Sequence, residues 1–227
     1  MSPRTGKLGF RILPSPPRLP SDVVSRFRGL ASSNLADAMG RFNFIDSAIR
    51  SRSRLPLCGL AVTVICRPGD NLMVHKALQV AEPGDIVVVN TCGGNTSAVF
   101  GELMCHAAVA KQLGGIVVDG AIRDVGGIRK LRFPAYSRTV SPGGCDKDGP
   151  GEVNVPIACG NAVVMPGDIL AGDDDGIAVV ARDAAAEVLT LVDELVVREV
   201  ARIAEIEAGG LFKAEIDDSL RKKGIIV

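Results

Sequence analysis

Apolar and polar positions switch between two periods along this chain. Leu60-Ala61-Val62-Thr63-Val64-Ile65-Cys66 is a β-branched run that reads as a buried strand. Pro68-Gly69-Asp70-Asn71 turns the chain, and an apolar-striped helix follows over 72–81. After a Pro83-Gly84 turn, Asp85-Ile86-Val87-Val88-Val89-Asn90 reads as a second buried strand. The small-residue loop Thr91-Cys92-Gly93-Gly94-Asn95-Thr96 opens a helix expected over 97–113, and Gly115-Ile116-Val117-Val118-Asp119 is a third strand. Strand, helix, strand, helix, strand predicts a parallel βαβαβ core built by right-handed crossovers.

The flanks differ in pattern. Residues 1–20 carry five prolines and four basic side chains without an acid, and read as an extended arm, wrapped on a neighbour or mobile. Helices are expected over 21–30 and from 33 or 34 to 39, where Gly40 stops the second. Beyond Gly120 come a short helix (125–131) and short strands at 135–140, 153–157, 162–164, 168–171 and 177–180, which read as a smaller β-layer. A long helix over 184–207 has Val188, Leu191, Val192, Leu195, Val196 and Val200 on one stripe. The prediction is an α/β fold: one domain over 21–227 behind the arm.

Composition narrows the function classes. In 227 residues, 26 basic and 26 acidic side chains cancel, and the absence of Trp with a single Tyr leaves few stacking platforms. A nucleic-acid binder needs a basic excess and aromatic faces, so that class is set aside. Apolar runs are far shorter than a membrane span. The six cysteines form no C-x-x-C pair, and only two histidines are present, so a structural zinc site is not indicated. With no apolar signal core behind the basic N-terminus, they read as reduced thiols in a cytoplasmic chain.

Four constellations could carry chemistry. The Gly93–Thr96 loop suits an anion at a helix N-terminus, or is a plain turn. Arg123-Asp124 follows the third strand at the sheet edge where α/β folds bind ligands. There Asp124 could hold a hard cation while Arg123 meets an oxyanion, or the two form an exposed ion pair. Glu102, flanked by Phe100, Leu103 and Met104, is a candidate acid or base, or a solvated helix-face carboxylate. Asp173-Asp174-Asp175-Gly176 lacks calcium-loop spacing and reads as a hairpin turn. Cys105 and His106 are helix neighbours about 100° apart and cannot pair as nucleophile and base. Lys76, Lys111 and Lys130 look solvated, which leaves no evident Schiff-base amine.

Taken in order, Pro68-Gly69-Asp70-Asn71, Gly84-Asp85-Ile86-Val87-Val88, Gly101-Glu102, Asp119-Gly120-Ala121-Ile122-Arg123-Asp124, Gly151-Glu152-Val153-Asn154-Val155-Pro156 and Pro166-Gly167-Asp168 resemble the 4-hydroxy-4-methyl-2-oxoglutarate / 4-carboxy-4-hydroxy-2-oxoadipate aldolase family. That family also contains the regulator of ribonuclease E activity A. The resemblance spans about 21–205. It implies a β/β/α swivelling-type fold, homotrimers or homohexamers, and a divalent-metal (class II) pyruvate aldolase with oxaloacetate decarboxylase side activity, using Mg2+, Mn2+ or another divalent cation. By the same resemblance Asp124 is the metal ligand, Arg123 the substrate-binding arginine, and Glu102 the acid/base. Gly101, Glu102, Leu103 and Met104 then form the carboxylate-binding loop, and Glu199 of a neighbouring subunit completes the outer metal shell. The alternative in the same family is a non-enzymatic ribonuclease-binding regulator, a branch that need not keep the Arg-Asp pair. Residues 143–149 depart from the family pattern, so the resemblance does not fix the substrate.

Overall fold

Four parallel strands form the centre of the molecule in the computed structural model, which describes residues 6–225. The elements are α1 (Ser21–Arg26), α2 (Ser32–Ala38), β1 (Arg50–Ser51), β2 (Leu57–Cys66), α3 (Leu72–Val80), β3 (Ile86–Asn90), β4 (Ala98–Phe100), α4 (Glu102–Ala110), β5 (Gly115–Ile122), α5 (Val125–Lys130) and β6 (Ala135–Val140). They continue with β7 (Gly151–Val153), β8 (Ile157–Cys159), β9 (Ala162–Val164), β10 (Ile169–Gly172), β11 (Ile177–Val180), α6 (Ala185–Glu207) and α7 (Ala214–Lys222). The main sheet runs β1-β6-β5-β3-β2-β10-β11, with β4 added on β5 and β7 on β2. Strands β2, β3, β5 and β6 are mutually parallel, with Val62 opposite Val87 and Val87 opposite Ile116.

The β-branched runs predicted this sheet because both its faces are covered. Val64, Val87, Val88, Val89, Val117 and Val118 are all fully buried, each contributing about 1.5–3 kcal/mol of transfer free energy. One face packs against α3, α4 and α5, and the other is closed by the β8–β9 hairpin. Helices α1, α2 and α6 pack on the β10–β11 end of the sheet through Phe27, Leu35, Leu189 and Val192. The result is an α/β fold of the β/β/α swivelling type with a long C-terminal helix.

Three local expectations are corrected. The helix expected over 97–113 begins only at Glu102, because Ala98-Val99-Phe100 pairs in parallel with β5 as a strand. The strand expected over 153–157 is cut by Asn154, which takes a left-handed φ of 57° and sends the chain from β7 to β8. Strands β6, β10 and β11, expected in the smaller layer, extend the main sheet, and β8–β9 alone form the second one.

The arm expected over 1–20 is docked on its own domain from Gly9 onward; its first five residues lie outside the described range. Arg11 reaches Glu152 with two hydrogen bonds (2.7 and 2.5 Å), and Gly9 N donates to the same carboxylate at 2.7 Å. Arg18 forks onto buried Asp85 at 2.7 and 3.1 Å.

Candidate active site

Strand β5 ends at Ile122, and the chain then changes direction within two residues. Arg123 N still donates to Phe100 O of β4 (2.9 Å), while Asp124 adopts a left-handed φ of 55° and starts α5. Asp tolerates that conformation better than most side chains, and strain of this kind gathers at functional sites. It turns the Asp124 carboxylate toward the N-terminus of α4, where Oδ2 accepts Glu102 N at 3.1 Å. Arg123 Nε lies 3.5 Å from the same oxygen, and both side chains are half-exposed.

Gly101 makes this convergence possible. A Cβ there would stand 2.6 Å from Asp124 Oδ2 and 3.1 Å from Arg123 Cγ. Gly101 is also the N-cap of α4, with no side chain to cap it. Glu102 N is taken by Asp124, but the N–H groups of Leu103 and Met104 belong to the first turn, where no intrahelical acceptor exists. Free N–H groups at the positive end of a helix dipole can hold a carboxylate.

These groups open onto one cleft of ≈ 360 Å³, lined by Gly101, Leu103, Met104, Arg123 and Asp124 on one wall. The rest of the lining comes from Ala98 and Phe100 of β4, from Asn71 at the N-cap of α3 and His75 within it, and from Gly144, Cys145 and Lys147 of the β6–β7 loop. Gly144 leaves room for the guanidinium, since a Cβ there would meet Arg123 Nη1 at 3.3 Å.

Of the residues singled out in the sequence, Gly101, Leu103, Met104, Arg123 and Asp124 come together. Glu102 does so by its backbone; its side chain is not among the cleft-lining groups. Its carboxylate instead lies over Gly127, where a Cβ would be 2.2 Å from Glu102 Cδ. Glu199, on α6, accepts from Asn34 Nδ2 at 2.9 Å and does not line the cleft of its own chain. The Gly93–Thr96 loop opens no helix. Thr91 Oγ1 donates within it and back to Asp119 O, closing a turn, and the next helix N-terminus lies at Gly101 instead. The Asp173 carboxylate accepts from Ser32 and from the backbone of its own hairpin, as a turn residue does. Burial pushes the Cys105 thiol up to about 11, consistent with a packing role.

The sequence reading passed over Asn71, His75 and Lys147 as site residues. Asn71 and Lys147 lie in segments it did single out, the Pro68–Asn71 turn and the 143–149 loop, but nothing local says that those two segments meet.

The comparisons place the fold in a family. The RraA-like family profile, described as Aldolase/RraA, matches residues 32–179. A Halalkalibacterium halodurans protein provisionally named 4-hydroxy-4-methyl-2-oxoglutarate aldolase is 36% identical over 160 residues, covering 70% of this chain and 76% of that one. Among solved structures, an uncharacterized Pseudomonas syringae protein superposes with a TM-score of 0.78 at 25% identity, covering 87% of this chain and 94% of that one. The RNA-processing inhibitor RraA from Thermus thermophilis superposes with a TM-score of 0.61 at 27% identity, covering 66% and 91%.

Proposed function

The chain belongs to the RraA-like (Aldolase/RraA) family, and from that premise we propose that it is a divalent-metal-dependent (class II) pyruvate aldolase. Its substrate in this reading is a 4-hydroxy-2-oxo di- or tricarboxylic acid, cleaved to pyruvate and a second oxo acid, with oxaloacetate decarboxylation as a side activity. The observation that carries the reading is the convergence of Arg123, Asp124 and the uncapped N-terminus of α4 on one cleft.

The donors present suit a hard cation. Asp124 offers carboxylate oxygen at the cleft, and the Glu102 carboxylate lies nearby over the first turn of α5. Among the described residues no three of His, Cys, Asp and Glu converge on one point. One carboxylate, with most of the coordination left to water and substrate, is the habit of Mg2+ or Mn2+ rather than of a caged ion. When bound, the cation polarises the 2-oxo group.

The chain's own residues do the rest. Leu103 and Met104 N–H groups hold the substrate's first carboxylate at the α4 N-terminus. Arg123 donates to the oxo oxygen as negative charge develops there in carbon–carbon cleavage. Glu102, through a water, receives the 4-hydroxyl proton. Lys147 is exposed and lacks the apolar burial that a Schiff-base amine needs. The likeness to the Thermus inhibitor makes a ribonuclease-binding regulator the second reading. The Arg123–Asp124 pair beside free helix N–H groups favours the enzyme.

The test is pyruvate release from 4-hydroxy-4-methyl-2-oxoglutarate and from oxaloacetate, with and without Mg2+. Asp124→Ala should abolish both activities at an unchanged melting temperature, and a chelator should do so reversibly in the wild type. Full activity in excess chelator overturns the metal-dependent reading.

A further inference from the structure

A second set of groups lines the same cleft, and the chemistry above uses none of them. They come from two segments far apart in sequence, the α3 N-terminus and the β6–β7 loop, and Asp70 fastens the two together. The Asp70 carboxylate is fully buried. Its Oδ1 accepts Leu72 N at 2.9 Å, and its Oδ2 accepts Asp148 N at 2.8 Å and Gly149 N at 2.9 Å. Arg67 Nη2 adds a longer contact at 3.4 Å. The backbone makes a parallel bridge alongside, with Asn71 N donating to Asp146 O (3.0 Å) and Asp146 N to Gly69 O (2.8 Å).

The consequence concerns one residue. Asp146 is pinned by two backbone hydrogen bonds, and Asp148 and Gly149 by the Asp70 carboxylate. Lys147 is the single residue between these anchors; it lines the cleft, and its charge acts on His75, another lining residue. A lysine on a free surface loop has no need of a rigid base. Here a buried carboxylate, whose desolvation is opposed by three backbone N–H groups that hold its pKa below the ordinary value, is spent on fixing that base.

The remaining groups agree with an anion site. His75 lies close enough to feel the Lys147 charge; burial first, and Lys147 second, lower its pKa, so it stays neutral at pH 7. Arg123 is committed to the oxo group, which leaves Lys147 as the other permanent cation in the lining. Asn71, 7% exposed, spends its Nδ2 on Val99 O (3.1 Å) and leaves its buried Oδ1 without a partner, so it offers the cleft an acceptor for a substrate hydroxyl and no donor that competes with Lys147 for the anion.

We propose that Lys147 is the specificity-determining residue for a second carboxylate on the substrate, and that Asp70 is the positioning residue that holds it there. The inference rests on the aldolase reading and deepens it: one carboxylate goes to the α4 N-terminus, the oxo group to Arg123, and the far carboxylate to Lys147. Diacids are then selected over monoacids of equal length. A terminal carboxylate beside the held ammonium gains a charge-assisted contact that a terminal methyl group cannot make.

The test separates this claim from catalysis by measuring binding to the full chain with Mg2+ present. The probes are 2-oxoglutarate and 2-oxopentanoate, which share a five-carbon 2-oxo acid skeleton and differ in a terminal carboxylate against a methyl group. The wild type should bind 2-oxoglutarate at least ~10-fold more tightly, the scale of one charge-assisted contact. Lys147→Met should erase that preference by weakening 2-oxoglutarate alone, and Lys147→Arg should keep part of it. Asp70→Asn should also weaken 2-oxoglutarate selectively, and adding Lys147→Met to it should cause no further loss. A merely structural Asp70 would give additive losses on both ligands. Should Asp70→Asn not fold, Asp70→Ser, a shorter acceptor, is measured in its place. A preference unchanged in Lys147→Met, an equal loss of both ligands, or no preference in the wild type each overturns the proposal. Turnover with discrimination intact in Lys147→Met would sink the subsite and leave the aldolase standing. Discrimination lost in Lys147→Met, in a protein that turns over no 4-hydroxy-2-oxo acid, would do the reverse.

Discussion

Gly101 is the residue on which the site geometry turns. Its lack of a side chain lets the Asp124 carboxylate and the Arg123 stem lie against the α4 N-terminus, and nothing there competes with a substrate carboxylate for the free N–H groups. Gly101→Ala introduces a methyl 2.6 Å from Asp124 Oδ2, so the carboxylate must move. The backbone at Gly101 is extended (φ −152°), so the substitution adds no dihedral strain and the fold should persist. Displacement of about an ångström at a reacting group costs on the order of 100-fold in rate. We therefore expect kcat/KM to fall about 100-fold with the melting temperature within a few degrees of wild type, read by steady-state pyruvate release and thermal melting. Legibility at this scale was uneven. Arg123 and Asp124 stood out because an arginine and a carboxylate sit side by side at a strand end, whereas Gly101, 22 positions earlier, was marked only by the family resemblance. Asp70 and Lys147 did not, because Asp70 and Asp148 are 78 positions apart and only the fold brings them together.

Among the elements, the arm and β4 departed furthest from the sequence reading. Ala98-Val99-Phe100 is apolar without a period, and such a run fits a helix or a strand equally; Gly101, read as part of a helix, is in fact the joint between the two. The segment 214–222 is mostly charged, with Ile216 and Leu220 one turn apart on one side, and the sequence reading assigned it no element although it forms α7. The arm's prolines signal extended chain, but its docking depends on two basic residues finding buried acids elsewhere. At one end Arg18 is the fork on Asp85, whose side chain is 3% exposed. Arg18→Ala leaves that carboxylate with the Glu82 N–H but without its cation, a loss of about 2 kcal/mol, or a melting temperature lower by ~4–8 °C. At the other end, the Arg11 hydrogen bond holds the Glu152 carboxyl below its ordinary pKa, against burial, with Gly9 N–H assisting. A carboxyl with a depressed folded pKa contributes stability that is complete above its unfolded value and is lost as pH falls through the folded one. Hydrogen exchange followed downward from neutral pH should therefore show amides of residues 9–13 losing protection below about pH 4, before those of β3 and β5 do. Simultaneous loss across the sheet would mean that the arm is not held by this pair.

At the scale of the whole molecule, the chain leaves apolar surface that its own domain does not cover. The first half of α6 packs inward through Val188, Leu189 and Val192, but Val197 and Val200 farther along are 69% and 61% exposed. Phe42 and Phe44 are exposed beside a groove of ≈ 630 Å³ next to α2. Of the expected stripe, Val188 and Val192 are buried at home, while Leu191, Val196 and Val200 are left exposed, the last two in the half of the helix that carries Glu199. Glu199 is remote from the lining of its own cleft, so any part it has in catalysis requires a second copy of the chain. We expect a cyclic trimer, or a pair of trimers, with α6 of one subunit beside the Asp124 cleft of the next; light scattering at micromolar concentration reads the mass. Mixing inactive variants tests the shared site directly. Asp124→Ala removes the proposed metal ligand, and Glu199→Gln, altering the proposed outer-shell partner, should lower activity by about 10–100-fold. If each site takes Asp124 from one subunit and Glu199 from its neighbour, random mixed trimers rebuild an intact site wherever a Glu199→Gln chain meets an Asp124→Ala chain in the right order, so activity should recover to about a quarter of wild type. Activity equal to the mean of the two parents would place each site within a single chain, and would remove Glu199 from the mechanism.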